Sequence, residues 1–244
     1  MIYVCIPSHD EGPTVGLVLW KIRKVFSEFG REYQLLVTDD ASSDRTGETL
    51  APYLKVLPLT VVRNDQRVGY AGSVEALLRL ALDRSDRPRR DFAVVMHADF
   101  SHGPQFLPEM VRQMESGADL VVAEATLSGE PSLAHRILRR MAPRIVGGVK
   151  VEGVRDTVSG FVAVRLSSLR LALKDREERL LETDGWAANA ELIARLSRQA
   201  RRIESVSVVE RHDLRARPSR IEPWAVAREL WGARRAVRMA ASAT

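Results

Sequence analysis

Val37-Thr38-Asp39-Asp40-Ala41-Ser42-Ser43-Asp44-Arg45-Thr46 joins three kinds of local chemistry in one stretch. The apolar residues 34–38 are short and rich in strand formers, which predicts a β-strand. Two carboxylates close it. Ser43 or Asp44 can then cap a helix that starts at about residue 44. A strand that ends in a polar, cap-bearing loop and restarts as a helix is half of a βαβ unit. The same grammar recurs on both sides. Residues 3–6, 59–63, 92–96 and 120–123 read as strands. Residues 14–29 read as a helix with Val15, Leu19, Ile22, Val25 and Phe26 on one face. Residues 70–82 carry a second stripe through Val74, Leu77, Leu78 and Ala81. Residues 104–116 start on a proline, which suits a first helical turn. This alternation predicts an α/β fold: a mostly parallel central sheet with helices on both faces.

Beyond residue 126 the order loosens. Residues 128–131 read as a loop, 136–146 as a helix ended by Gly147-Gly148, and 161–165 as a strand. Residues 186–198 form a helical pattern, 206–209 a strand, and 223–241 a basic helical tail. No repeat, low-complexity segment or clear linker interrupts the chain.

The bulk numbers exclude several classes. At 244 residues, 45% hydrophobic and 28% charged, the chain is an ordinary globular protein. No run approaches the ~18 apolar residues of a membrane span. Residues 1–7 have no basic lead and read as a first strand, not a signal peptide. Cys5, the single cysteine, cannot form an internal disulfide, and a reducing cytoplasm is the natural compartment. The formal charge of +5 suits an anionic ligand or a membrane surface. Nucleic acid is not expected, because the basic stretches lack interleaved aromatics for base stacking.

In an open parallel sheet, ligands bind at the carboxyl ends of the strands. Four polar loops follow strands here: residues 7–12, residues 39–44, Arg63-Asn64 leading to Gly69-Tyr70-Ala71-Gly72, and residues 97–102. Each alone reads equally well as loop and cap chemistry. Four in series, three with carboxylates, gather charges that repel unless a cation or a hydrogen-bonding ligand joins them. Gly12 and Gly16 have the wrong spacing for a dinucleotide loop, and no Gly-Lys-Ser/Thr ending exists for a P-loop. Phosphate binding falls to a cation and to arginines.

At these residues the sequence resembles the family 2 glycosyltransferases of GT-A fold, and among them the dolichol-phosphate mannose synthase and polyprenol-phosphate glycosyltransferase group. Ile6-Pro7-Ser8-His9-Asp10-Glu11 is similar to that family's opening Ile-Pro-x-Tyr-Asn-Glu. Residues 37–46 match Val-Val-Asp-Asp-x-Ser-x-Asp-x-Thr. Arg63, with Gly69-Tyr70-Ala71-Gly72-Ser73 and Ala76, follows Arg…Gly-x-x-x-Ala loosely. Residues 96–104 match Met-Asp-Ala-Asp-Leu-x-His-x-Pro except at the first acid. Asp156 to Phe161 match Asp-x-x-Ser-Gly-Phe, Glu191 falls at a late-helix glutamate, and residues 215–220 resemble a shortened Arg-x-Arg-Gly-x-Ser-Lys.

The resemblance implies a catalytic domain over residues 1–221 and a basic C-terminal helix over 222–244. It implies an inverting transfer of a sugar, mannose in the nearest resemblance, from a GDP- or UDP-linked donor to a polyprenyl-phosphate acceptor. A soluble hydroxyl acceptor and a non-catalytic nucleotide-sugar-binding protein are the alternatives. Pro7, Asp10, Glu11, Asp39, Asp40 and Arg63 would line the nucleotide pocket. Asp99 would hold a divalent metal, Mn²⁺ or Mg²⁺, on the diphosphate. Arg215, Arg217 and Arg220 would neutralise phosphates. A hydroxyl acceptor would need a base, for which Asp184 and then Asp156 are the candidates. Asp184 reads equally as a helix N-cap.

The departure is His97-Ala98-Asp99 where the family has Asp-x-Asp. Three roles stand for His97: a metal ligand that favours manganese, a cation binding the diphosphate directly, or a replacement that stops turnover. A second departure is Ala123-Glu124-Ala125, where the family has Gly-Ser-Arg. Trp224 and Trp231 with the tail arginines fit either a helix docked on the domain or one lying on an anionic membrane. In the second case the protein would sit peripherally on the inner membrane surface.

Overall fold

The computed structural model describes residues 1–128, 133–147, 151–174, 179–211 and 222–242. Seven strands form one sheet in the order β3-β2-β1-β4-β6-β5-β7. They are β1 (Ile2–Ser8), β2 (Tyr33–Asp40), β3 (Leu59–Asn64), β4 (Phe92–Val95), β5 (Leu120–Ser128), β6 (Val162–Arg165) and β7 (Ile203–Arg211). The helices are α1 (Val15–Phe29), α2 (Thr46–Leu50), α3 (Gly69–Asp83), α4 (Leu107–Glu115), α5 (Leu133–Ile145), α6 (Leu166–Lys174), α7 (Gly185–Gln199) and α8 (Pro223–Ser242).

Every residue of β1 is buried, as a strand covered on both faces requires. Its side chains alternate. Ile2, Val4 and Ile6 join α1 and α4 in one core, while Tyr3 and Cys5 join α3, α6 and α7 in the other. Burial in the second core pushes the Cys5 thiol pKa far up, so it acts as a small apolar residue. A third cluster holds α5 and α8 against α7 through Leu138, Ala142, Leu230 and Val237.

The sheet is mostly parallel, as expected, with one exception. β6 runs antiparallel to both β4 and β5. α5 packs on α7 and α8 and not on the sheet as a crossover helix. The chain therefore leaves β5 and re-enters at Phe161 at the same end, and that end is where the other polar loops gather. Two local readings also shift. The helix read from residue 44 is the short α2, followed by a 3-10 turn over Ala51–Lys55. Arg45 is its N-cap residue, and Asp44 instead accepts from the Thr46 amide at 2.9 Å. The helix read at 104–116 opens as a 3-10 turn over Pro104–Phe106 before α4. α6 is an addition that sequence reading did not anticipate.

Candidate functional site

A cleft of about 180 Å³ lies at the carboxyl ends of β1 and β4. Pro7, Ser8, His9 and Glu11 line it from the loop after β1. His97, Ala98 and Asp99 line it from the loop after β4, and Asp40 from the end of β2. Arg67, Tyr70 and Ser73 close it from the segment that opens α3. Of the expected nucleotide residues, Pro7, Glu11 and Asp40 face this cleft together with both expected metal residues, His97 and Asp99.

The rest of the expected set stands behind the cleft wall, where it builds the loops. Asp10, at φ 53°, accepts from the amides of Ser43 and Asp44 at 2.8 and 3.3 Å. Partial burial raises its pKa, but the hydrogen bonds from Ser43 and Asp44 and the nearby His9 outweigh this and hold it below the usual carboxylate value. Asp10 thus ties the first loop to the second. Asp39 is buried, accepts from the Ser42 amide at 3.2 Å and lies 3.8 Å from the exposed Arg63 guanidinium.

Asp40 both lines the cleft and supports it. Its carboxylate accepts from Asn64 Nδ2 and Val68 N at 2.8 Å and from Gly69 N at 2.9 Å. An anion at the first amides of α3 is where a helix favours negative charge. Gly69 at φ +85° makes the sharp entry that a side chain would strain.

His97 has a defined tautomer. Asn189 Nδ2 donates to the Val158 carbonyl, which leaves Asn189 Oδ1 to accept the Tyr70 hydroxyl proton at 2.8 Å. Tyr70 has no second proton, so His97 Nε2, 3.3 Å from the same oxygen, must be the donor. His97 Nε2–H is therefore directed at the Tyr70 hydroxyl, which fixes the ring at the cleft wall. Burial, together with the charges of Asp184 and Asp99, pushes the Tyr70 pKa well above the ordinary tyrosine value against the lowering effect of Asn189. The phenol stays neutral. Gly160 makes the room: a Cβ there would lie 2.3 Å from His97 Nε2. Asp99 accepts from the Ser101 amide at 3.0 Å across Phe100, which sits at φ 61°.

The two candidate bases are engaged elsewhere. Asp184 is the N-cap of α7, accepting from Gly185 N at 2.9 Å, and it also accepts from Ala71 N in the first turn of α3 at 2.8 Å. Asp156 accepts from Arg139 Nη2 at 2.7 Å in a pair that is largely buried. Arg139 in turn lies 5.2 Å from the centroid of the Trp186 ring. Glu191, fully buried, accepts from the amides of Glu182 and Thr183 and pairs with Arg195. Glu75 on α3 likewise accepts from Leu180 N and Leu181 N. These two carboxylates hold the segment that carries Asp184. Arg215, Arg217 and Arg220 lie outside the described residues.

Sequence reading missed Ser8 and Ser73. Both hydroxyls are buried on the cleft wall with no protein partner. Buried hydroxyls of this kind are costly unless a ligand or water satisfies them. Ser73 belongs to a quoted motif but only its position in α3 turns it into the cleft. Among the described residues no three His, Cys, Asp or Glu side chains gather as a metal cage.

An open α/β sheet with one antiparallel strand, and acidic loops converging at its carboxyl edge, defines the GT-A class of nucleotide-diphospho-sugar transferase folds. Solved structures share the fold. Glucosyl-3-phosphoglycerate synthase from Mycobacterium tuberculosis, in complex with phosphoglyceric acid, superposes with a TM-score of 0.65 at 19% identity, covering 100% of this chain and 80% of that one. Residues 1–349 of TarS from S. aureus, in complex with UDP, superpose with a TM-score of 0.59 at 12% identity, covering 99% and 70%. The chain belongs to glycosyl transferase family 2, whose model matches residues 3–170. It is 26% identical over 170 residues to a dolichol-phosphate mannosyltransferase of Pyrococcus furiosus, covering 67% of this chain and 46% of that protein. It is 25% identical over 178 residues to the putative glycosyltransferase CsbB of Bacillus subtilis, covering 71% and 51%. The chain thus spans about half the length of these two relatives.

Proposed function

We propose that the cleft binds a nucleotide-diphosphate sugar and that the protein transfers the sugar, with inversion, to a polyprenyl phosphate. The observation that carries this reading is the convergence of Pro7, Glu11, Asp40 and Asp99 on one cleft within a family 2 domain. The unpartnered hydroxyls of Ser8 and Ser73 supply hydrogen-bonding groups for the nucleoside part of the donor. Arg67 brings a positive charge to the same wall.

The donor set fits a shared divalent cation. Asp99 would hold the ion through its carboxylate, with phosphate oxygens of the donor as further ligands, as in sites where substrate phosphates supply most of them. The His97 imidazole would add one softer ligand, which would favour Mn²⁺. When bound, such an ion stabilises the charge of the departing nucleotide diphosphate. Asp99 orients that leaving group, and the Tyr70–Asn189 pair holds the His97 ring beside it.

The engagement of Asp184 and Asp156 bears on the acceptor. A hydroxyl needs a base, and Asp184 Oδ1 already accepts from two backbone amides while Asp156 pairs with Arg139. A phosphate monoester is already nucleophilic near neutral pH and needs none. This agrees with the dolichol-phosphate acceptor in the name of the Pyrococcus relative. Mannose is the sugar in that name, while UDP or UDP-glucose is bound in the structural neighbours, so a GDP- and a UDP-linked donor are both to be tried.

Isothermal titration with GDP, UDP and their sugar conjugates, with and without Mn²⁺ or Mg²⁺, tests the donor site. Metal-dependent binding of one nucleotide, weakened at least tenfold by Asp99→Ala, is expected. A folded protein that binds none of them would overturn the reading.

A further inference from the structure

We infer that the outward faces of α5 and α8 form a surface that docks on an anionic lipid bilayer. The two helices bury their inner sides against each other and α7. Their outer sides are built unlike a solvated helix face. On α5, Leu133, Ile137 and Met141 recur every four residues and are 72, 55 and 40% exposed. Arg136, Arg140 and Arg144 recur at the same spacing and are exposed too. Residues four apart stand above one another on a helix, so an apolar stripe and a cationic stripe run side by side.

α8 repeats the composition. Trp224, Trp231 and Met239 are 86, 65 and 52% exposed, and Arg228 and Arg235 share their face. The Arg234 guanidinium lies 4.1 Å from the centroid of the Trp231 ring. α5 contains no acidic residue, and Glu229 is the single one within α8.

The chemistry selects the partner. Exposed Leu, Ile, Met and Trp cost free energy in water and gain it in the acyl boundary of a bilayer. Tryptophan is at home at the headgroup level. Arginines alongside can extend to lipid phosphates while their stems stay in the apolar layer. A surface with Arg136, Arg140, Arg144, Arg228 and Arg235 against the single acid Glu229 complements an anionic leaflet. Among the described residues no helix is long and apolar enough to cross a membrane, so the mode is lying on the surface, not spanning it.

The layer connects to the cleft through one loop. Val158 belongs to the same buried cluster, and Gly160, two residues on, packs against His97. Docking on α5 and α8 would therefore set the cleft near the lipid headgroups. The inference rests on the exposed faces themselves and stands apart from the transfer reading.

Co-sedimentation of the full chain with phosphatidylcholine vesicles, with and without phosphatidylserine, is the test. Binding to the anionic vesicles that weakens with salt is expected. Arg136→Gln/Arg140→Gln/Arg144→Gln should weaken it on the order of 100-fold, at about fivefold per arginine. Trp224→Ser/Trp231→Ser should weaken it even at low salt. Circular dichroism checks that both variants are folded, since every altered residue is exposed. No sedimentation with anionic vesicles, or equal binding by wild type and both variants, would overturn the inference. So would a concentration-dependent dimer, seen by analytical ultracentrifugation, that the same substitutions dissolve. If vesicles bind and nucleotides do not, the docking surface stands and the transfer reading falls.

Discussion

Asp184 separates two kinds of explanation. A single carboxylate oxygen, Oδ1, accepts from Gly185 N at 2.9 Å and from Ala71 N at 2.8 Å, serving the first turns of α7 and α3 together. Asp184→Ala removes the cap of α7, which costs about 1 kcal/mol. It also strips the partner from an amide in the first turn of α3, for about 1 kcal/mol more. A loss of about 2 kcal/mol lowers the melting temperature of a domain this size by about 4–8 °C. Asp184→Asn keeps an oxygen at the same place, and Asn caps as well as Asp. It should melt near the wild-type temperature and keep its turnover. Thermal unfolding by circular dichroism, paired with donor hydrolysis or transfer, reads both quantities. If Asp184→Asn stays folded but loses turnover, the carboxylate is a base and the argument for a phosphate acceptor loses its footing. If Asp184→Ala melts with the wild type, the clamp between α3 and α7 carries no weight.

Glu191→Ala should be among the most damaging substitutions: it leaves buried Arg195 only the longer 3.8 Å contact to the exposed Glu182 and frees the amides of residues 182–183, costing about 3 kcal/mol in a urea titration. A loss below about 1 kcal/mol would refute the role given to that buried pair. Tyr70→Phe should release the His97 tautomer. ¹⁵N-resolved imidazole spectra should show Nε2–H alone in the wild type and a mixture with Nδ1–H in the variant, and an unchanged ratio would refute the hydrogen-bond direction derived for Asn189, Tyr70 and His97.

The elements legible in the sequence are those whose signal is local. Runs such as residues 34–38 and stripes such as Val74, Leu77, Leu78 and Ala81 repeat at the periods of strand and helix, so β1 to β4 and α1, α3 and α7 fall within a few residues of where they are read. The carboxyl-edge loops follow from the same alternation. The direction of β6 is not local, because a period of two reads identically both ways along a strand. α6 was hidden because it starts at Leu166, directly after Arg165 of β6, with no glycine, proline or loop to mark the change from strand to helix. The acids are the sharper case. Asp10, Asp40, Asp99, Asp156 and Asp184 look alike as letters, and sequence reading ranks them all as site residues. Their chemistry depends on which groups donate to them, and those groups are remote: Val68 is 28 positions from Asp40, and Ala71 is 113 from Asp184. Sequence periodicity determined that carboxylates would gather at one edge of the sheet. Only the tertiary packing of α3 against α7, and of the second loop against the first, decided which of them face the cleft and which groups donate to their oxygens.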